Sequence, residues 1–157
     1  MRLTITGYGF KEAEVGFSRI LALTSNVSSA WPAVIRELRS QQAQQFTTQG
    51  ASGASGKWLP LSAQYKIAKQ KKYPGRTILE RTGRLRASLQ VETGDSAIEK
   101  HPMSLFFGTT VPYAQYHQDG PRRRPIFSLT NRQLASIGST MHKWLGAEVS
   151  KAMRSAA

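Results

Sequence analysis

The chain has no cysteine in its 157 residues. That excludes disulfide frameworks, thiolate zinc sites and cysteine nucleophiles, and it suits assembly in a reducing cytoplasm. Acids are scarce as well: nine Asp and Glu stand against 22 Lys and Arg. Metal-dependent nucleases and paired-carboxylate hydrolases need acids that converge on one site. Here the acids are scattered, and Glu92, Asp95 and Glu99 read as a polar turn. No apolar run approaches the ~20 residues of a membrane helix. The stretch Ile20 to Leu23 is broken at once by Thr24, Ser25 and Asn26, so no membrane partner is expected. The opening MRLTITGYGF lacks the apolar stretch and cleavage site of a secretory signal.

Nucleotide and metal motifs are missing too. In GASGASGK the lysine is followed by Trp58, so the G-K-[ST] ending of a phosphate loop is absent. His101, His117 and His142 have no second histidine or acid at a metal-ligand spacing. A lone histidine beside aromatic residues, as His117 is, reads as packed or hydrogen-bonded. No catalytic residue, metal or cofactor is expected.

What the sequence does have is positive charge, +13 in all. Lys66, Lys69, Lys71, Lys72, Arg76, Arg81, Arg84 and Arg86 fall in one stretch, with Glu80 as its only acid. Arg122, Arg123 and Arg124 form a second cluster between Pro121 and Pro125, a stiff surface strap. Nine acids cannot pair so many cations. Some must face solvent, an acidic protein or phosphate, with an attraction that weakens in salt. Lys66, Lys69 and Lys72 share one helical face, as a solvated surface would.

Hydrophobic periodicity sets out the elements. Leu3 and Ile5 alternate with polar residues, which predicts a short opening strand. Val15, Phe17, Ile20, Leu21 and Leu23 predict a short helix. A clear helix runs from about Ser29 to Thr47, with Trp31, Val34, Ile35, Leu38 and Phe46 on one stripe. Gln41, Gln42, Gln44 and Gln45 fill its opposite side, and Pro32 sits harmlessly in its first turn. The small residues of TQGASGASGK predict a flexible loop at about 48–57. A helix follows from near Ser62. ILERTGRLRASL is a short unit in which Gly83 turns the chain between Leu79 and Leu85, and a strand leaves through Leu89 and Val91. SAIEK and SLFFGTT are two more strands, joined by a turn at His101 and Pro102. VPYAQYHQ is a short helix or turn that Gly120 ends, and RPIFSLT is extended. The tail from Asn131, its expected cap, to about Met153 is a long amphipathic helix carrying Leu134, Ile137, Met141, Trp144, Leu145 and Val149. Trp58 and Trp144 are expected in the core, with Trp31 partly buried. The sum is an α+β fold: one domain over residues 1–157, a small antiparallel sheet packed against helices, a long helix in the N-terminal half and another at the C-terminus.

Three motifs occur in order: W-x-x-L at Trp58 and Leu61; L-x-x-T-G-x-L-x-x-S at Leu79, Thr82, Gly83, Leu85 and Ser88; and G-T-x-x-x-Y-A-x-x-H-Q-x-G at Gly108, Thr109, Tyr113, Ala114, His117, Gln118 and Gly120. This ordered set, spanning Trp58 to Phe127, resembles the phage virion morphogenesis family. That family includes the tail-completion proteins of P2-like phages and their Mu-like counterparts. The resemblance implies a non-enzymatic virion protein of a tailed phage, assembled in the host cytoplasm. It would act in tail completion or at the neck, joining tail to capsid as a homo-oligomeric ring around the DNA channel. Its implied partners are copies of itself, neighbouring neck, head-connector and tail-terminator or tail-tube proteins, and packaged DNA through non-specific electrostatics. The Ser/Gly stretch before Trp58 and the triple arginine after Gly120 are local to this sequence. On that reading Lys66, Lys69, Lys71, Lys72 and Arg122 to Arg124 are candidates for an assembly interface or the channel wall. The alternative is a freestanding basic nucleic-acid-binding protein, although no helix-turn-helix or single-strand-binding pattern is present.

Overall fold

The structure, a computed structural model, describes residues 10–154. The expected opening strand therefore lies outside the described residues. Helix α1 spans Phe10–Ser25, and a single 3-10 turn (Ser28–Ala30) leads into α2 (Trp31–Thr47). Helix α3 (Ala63–Lys72) begins at Ser62, whose hydroxyl accepts from the Tyr65 N–H. Helix α4 covers Arg84–Gln90, strands β1 and β2 cover Ser96–Lys100 and Leu105–Thr109, and α5 and α6 cover Ala114–Asp119 and Asn131–Arg154. The fold is α+β, with long helices where the periodicity placed them.

Among the described residues the sheet is one antiparallel pair, Ser96 opposite Thr109 through to Lys100 opposite Leu105. No strand leaves through Leu89 and Val91. Leu89 is fully buried inside α4, and only Val91, its C-cap, is extended. Leu85, Ser88 and Leu89 all face inward from α4, at a helical spacing that the short apolar run concealed.

Two apolar clusters share Phe107 and meet along α2. The first gathers Phe46, Trp58, Leu85, Leu89, Val111, Ala114 and Ile126. The second packs Trp31, Val34 and Ile35 against Ile98, Leu105, Ile137 and Met141, so that the sheet and α6 both lie on α2. With neighbours on several sides, α2 has little solvent face. Gln41, Gln42 and Gln45 are buried, contrary to the expected polar side, and only Gln44 is exposed. Hydrogen bonds from the amide nitrogens of Gln41 and Gln45 make their burial tolerable, while the amide oxygens of Gln41 and Gln42 have no hydrogen-bond partner among the described residues. Gln41 donates to Glu37 at 2.8 Å and to the Gln133 carbonyl at 3.2 Å, and Gln45 donates to the Pro125 carbonyl at 3.3 Å.

The long C-terminal helix is capped one residue earlier than expected. Thr130 accepts from the Gln133 N–H at 3.2 Å, and Gln133 accepts in return from the Thr130 N–H at 2.8 Å. This reciprocal box satisfies free donors that Asn131, already helical, leaves open. Its apolar stripe is only partly covered: Ile137 and Met141 pack on α2, whereas Leu134 and Leu145 are exposed. Trp144 is not a core residue. It is half-buried and donates to the Ser29 hydroxyl at 3.2 Å, while Trp31 takes the buried place and donates to the His101 carbonyl at 2.7 Å.

Small-residue composition predicts a flexible loop at 48–57. The structure shows a run of turns tied to its surroundings. Gly50 N–H donates to the Gln45 carbonyl at 2.9 Å, Ala54 N–H to that of Ser128 at 3.0 Å, and Trp58 N–H to that of Gln49 at 2.8 Å. Backbone groups and hydroxyls hold this segment where side-chain burial is slight.

Candidate assembly interface

The third sequence motif folds into a latch. Gly108 and Thr109 end β2, and the Thr109 hydroxyl lies 2.7 Å from that of Ser88 and donates to the Asp95 carbonyl at 3.1 Å. This pins the sheet to α4. The chain then turns through Val111 into α5. Gln118 reaches from α5 to the returning segment. Its side-chain oxygen accepts from Ile126 and Phe127 N–H at 2.9 and 3.0 Å, and its amide donates to the Phe127 carbonyl at 3.0 Å. One side chain thus supplies the pairing that a neighbouring strand would give, which is why the extended RPIFSLT segment needs no β partner. Gly120 is required by close approach. A Cβ there would sit 2.2 Å from the Tyr116 carbonyl oxygen. Tyr113 and Tyr116 meet the His117 ring edge-on at 6.2 and 5.7 Å. Burial, followed by the nearby Arg124 guanidinium, holds the His117 imidazole below its ordinary range.

The arginine triplet is split. Arg122 and Arg123 are exposed, as expected of a surface strap. Arg124 turns inward. Its backbone N–H donates to the His117 carbonyl at 2.8 Å, and its guanidinium donates to the carbonyls of Leu59 and Pro60 at 2.7 and 3.1 Å. Beside it the Trp58 indole donates to the Pro125 carbonyl at 2.8 Å and meets the Phe46 ring edge-on. The first motif is therefore bolted to the third.

The lysine helix is split in the same way. Lys66, Lys71 and Lys72 are exposed. Lys69 is 6% exposed and donates through Nζ to the Thr77 carbonyl, so the solvated face expected for Lys66, Lys69 and Lys72 holds only for two of them. The turn from 73 to 83 folds back over α3 and covers it. Burial lowers the Lys69 ammonium from its ordinary range, and Glu80 partly offsets this. Glu80 is itself buried. Burial pushes its carboxyl up, but hydrogen bonds from Arg86 at 2.8 Å and from Thr77 at 2.9 Å outweigh that and leave it below the usual carboxylate range. The only acid in a long cationic stretch is thus the hub of the turn, a role that its isolation in the sequence hints at. The second motif continues from it. Leu79, half-buried against the first cluster, takes a φ of +61°, a strained value for a branched side chain. Gly83, at +84°, opens α4 as its N-cap.

Two grooves result. One, of about 480 Å³, brings residues of all three motifs together: Leu61; Leu79 and Thr82; Tyr113 and His117, with Lys69, Glu80 and Arg124 in its wall. The other, of about 920 Å³, lies between the Trp58–Leu61 segment, α3 and the 75–78 turn. Leu85 stays in the core, and Gly108 lies beneath the Phe106 ring. Among the described residues no group of His, Asp and Glu is placed to hold a metal ion, and no helix is long and apolar enough to cross a membrane. The arrangement presents pinned turns and fixed positive charge.

Residues 9–154 match the family model described as the phage virion morphogenesis family. No curated protein and no solved structure shows a significant match.

Proposed function

Because the chain belongs to the phage virion morphogenesis family, we propose that it completes the tail and joins it to the capsid as a ring of identical subunits around the DNA channel. It is a structural protein of a phage virion. The observation that carries the finer reading is the division of its cations. Lys69, Arg84, Arg86 and Arg124 are spent on its own carboxylates and carbonyls. Lys66, Lys71, Lys72, Arg122 and Arg123 are exposed and form no salt bridge with the described acids. Such exposed charge, held in no salt bridge, steers docking and sets register. In this reading Arg122 and Arg123 meet an acidic neighbour at the head-proximal end of the tail, and Lys71 and Lys72 face the phosphates of the channel.

The test is head–tail joining in extracts that lack the protein, restored with purified chain across a salt series. Wild-type chain should restore infectious particles. The Arg122→Gln, Arg123→Gln double variant should fold normally, join more slowly and fail at lower salt. Accumulation of joined but otherwise defective particles without the protein would overturn the joining role. Tight DNA binding by the isolated monomer, without any effect on joining, would favour a freestanding nucleic-acid-binding protein.

A further inference from the structure

The larger groove has a consistent chemistry. Its floor is apolar, made by Leu59, Pro60, Leu61 and Ile78, and Leu59 is 54% exposed. Its rim carries Lys57, Lys66 and Arg76, the last already paired with Glu80, and among the described residues no acid lines it. Both walls are fixed by a cation of the chain itself. Arg124 holds the carbonyls of Leu59 and Pro60, and Lys69 holds the carbonyl of Thr77. The groove therefore exists before anything enters it, which lowers the entropic cost of binding.

We propose that this groove is a docking site for an extended acidic peptide, a segment in which Asp or Glu alternates with apolar residues, supplied by a neighbouring protein of the virion. The apolar residues would lie on the Leu59–Leu61 and Ile78 floor while the carboxylates meet Lys57 and Lys66. A second copy of this chain is a poor source. Of its nine acids, Glu37, Glu80 and Asp95 already have close partners within the fold. Nucleic acid fits less well, because base stacking needs an open aromatic face. The aromatic residue in the lining, Trp58, is 3% exposed and packed edge-on against Phe46.

The proposal takes only the source of the peptide from the assembly role, and binding is read on purified protein, so loss of joining with binding intact counts against that role alone. Three fluorescein-labelled degenerate pools of peptides about ten residues long would be compared by anisotropy. Each alternates apolar positions with acidic, neutral amide or basic ones, and a labelled single-stranded oligonucleotide of similar length is the fourth probe. The acidic pool should bind at least about tenfold more tightly than the neutral pool. Lys57→Glu with Lys66→Glu should abolish that difference, as both side chains are exposed and the fold should survive. Ala63→Trp, at the exposed first position of α3, should block the groove sterically and weaken the acidic pool without changing any charge. Equal binding of acidic and neutral pools, or undiminished binding by both variants, overturns the proposal. An oligonucleotide that binds more tightly than the acidic pool and loses affinity in the same variants replaces it with a nucleic-acid groove.

Discussion

Replacing Gln118 by alanine removes three hydrogen bonds in one step, those to Ile126 N–H, Phe127 N–H and the Phe127 carbonyl. A net bond contributes about 1 kcal/mol, and a buried donor left without a partner costs about 1–3 kcal/mol. Ile126 has a 1% exposed side chain in the first core cluster, so water reaches its N–H poorly. Some relaxation of α5 will recover part of the loss. The expected destabilisation is about 2–4 kcal/mol, which for a chain of this length lowers Tm by roughly 5–15 °C. Thermal melting and urea unfolding of the purified protein read this directly. Gln118→Glu keeps an acceptor for both N–H groups but sets a carboxylate oxygen against the Phe127 carbonyl, so it should destabilise as well. Gln115→Ala, on an exposed position of the same helix, should stay within ~0.5 kcal/mol. A Gln118→Ala protein that melts within about 2 °C of wild type would refute the latch, because the returning segment would then need no such support.

Arg124→Gln should lower stability by about 1.5–3 kcal/mol through loss of its charge-assisted bonds to Leu59 and Pro60, whereas Arg122→Gln and Arg123→Gln should leave Tm unchanged; equal effects would put all three arginines on the surface. Trp31→Ala should cost about 3–5 kcal/mol and Trp144→Ala clearly less, since Trp31 is 7% exposed and Trp144 only half-buried; the reverse order in urea unfolding would contradict the placement of α6. The amides of Gly53 and Ala54, bonded to the carbonyls of Gly50 and Ser128, should resist hydrogen exchange, and exchange at the free-peptide rate would show that these turns open in solution. His117 is depressed in the fold chiefly by burial and then by Arg124, so its contribution is present above the unfolded imidazole pKa near ~6.5 and is lost as pH falls toward the folded value. His117→Gln should flatten the stability curve in that window; an unchanged slope would assign the acid sensitivity to other groups.

The elements that were legible in the sequence are those whose pattern is local. Helix α2, helix α3 from near Ser62, the SAIEK and SLFFGTT strands and the long C-terminal helix follow from periodicity acting over a few residues. Where the structure departs from the local pattern, another segment folds over the residue. Gln41 and Gln45 look like a solvent face until α6 and the 125–133 segment supply their partners. Lys69 looks solvated until the 73–83 turn closes over it. Trp31 and Trp144 exchange places because burial depends on which helix face another element covers, and both lie on apolar stripes.

The sequence by itself determined the class of molecule: a cysteine-free, strongly basic α+β chain whose ordered motifs point to a virion role. Net charge, the absence of cysteine and the scarcity of acids are properties of the chain however it folds. Only the tertiary structure decided which cations are free. Arg122, Arg123 and Arg124 are identical and adjacent, and Lys66, Lys69 and Lys72 share one helical face. A buried ammonium such as that of Lys69 is tolerated only where carbonyls or carboxylates meet it, and the half-buried Arg124 guanidinium is held by the same kind of partner. The Leu59, Pro60 and Thr77 carbonyls that do so lie 65, 64 and 8 residues away along the chain. No rule of local spacing could have separated Arg124 and Lys69 from their neighbours.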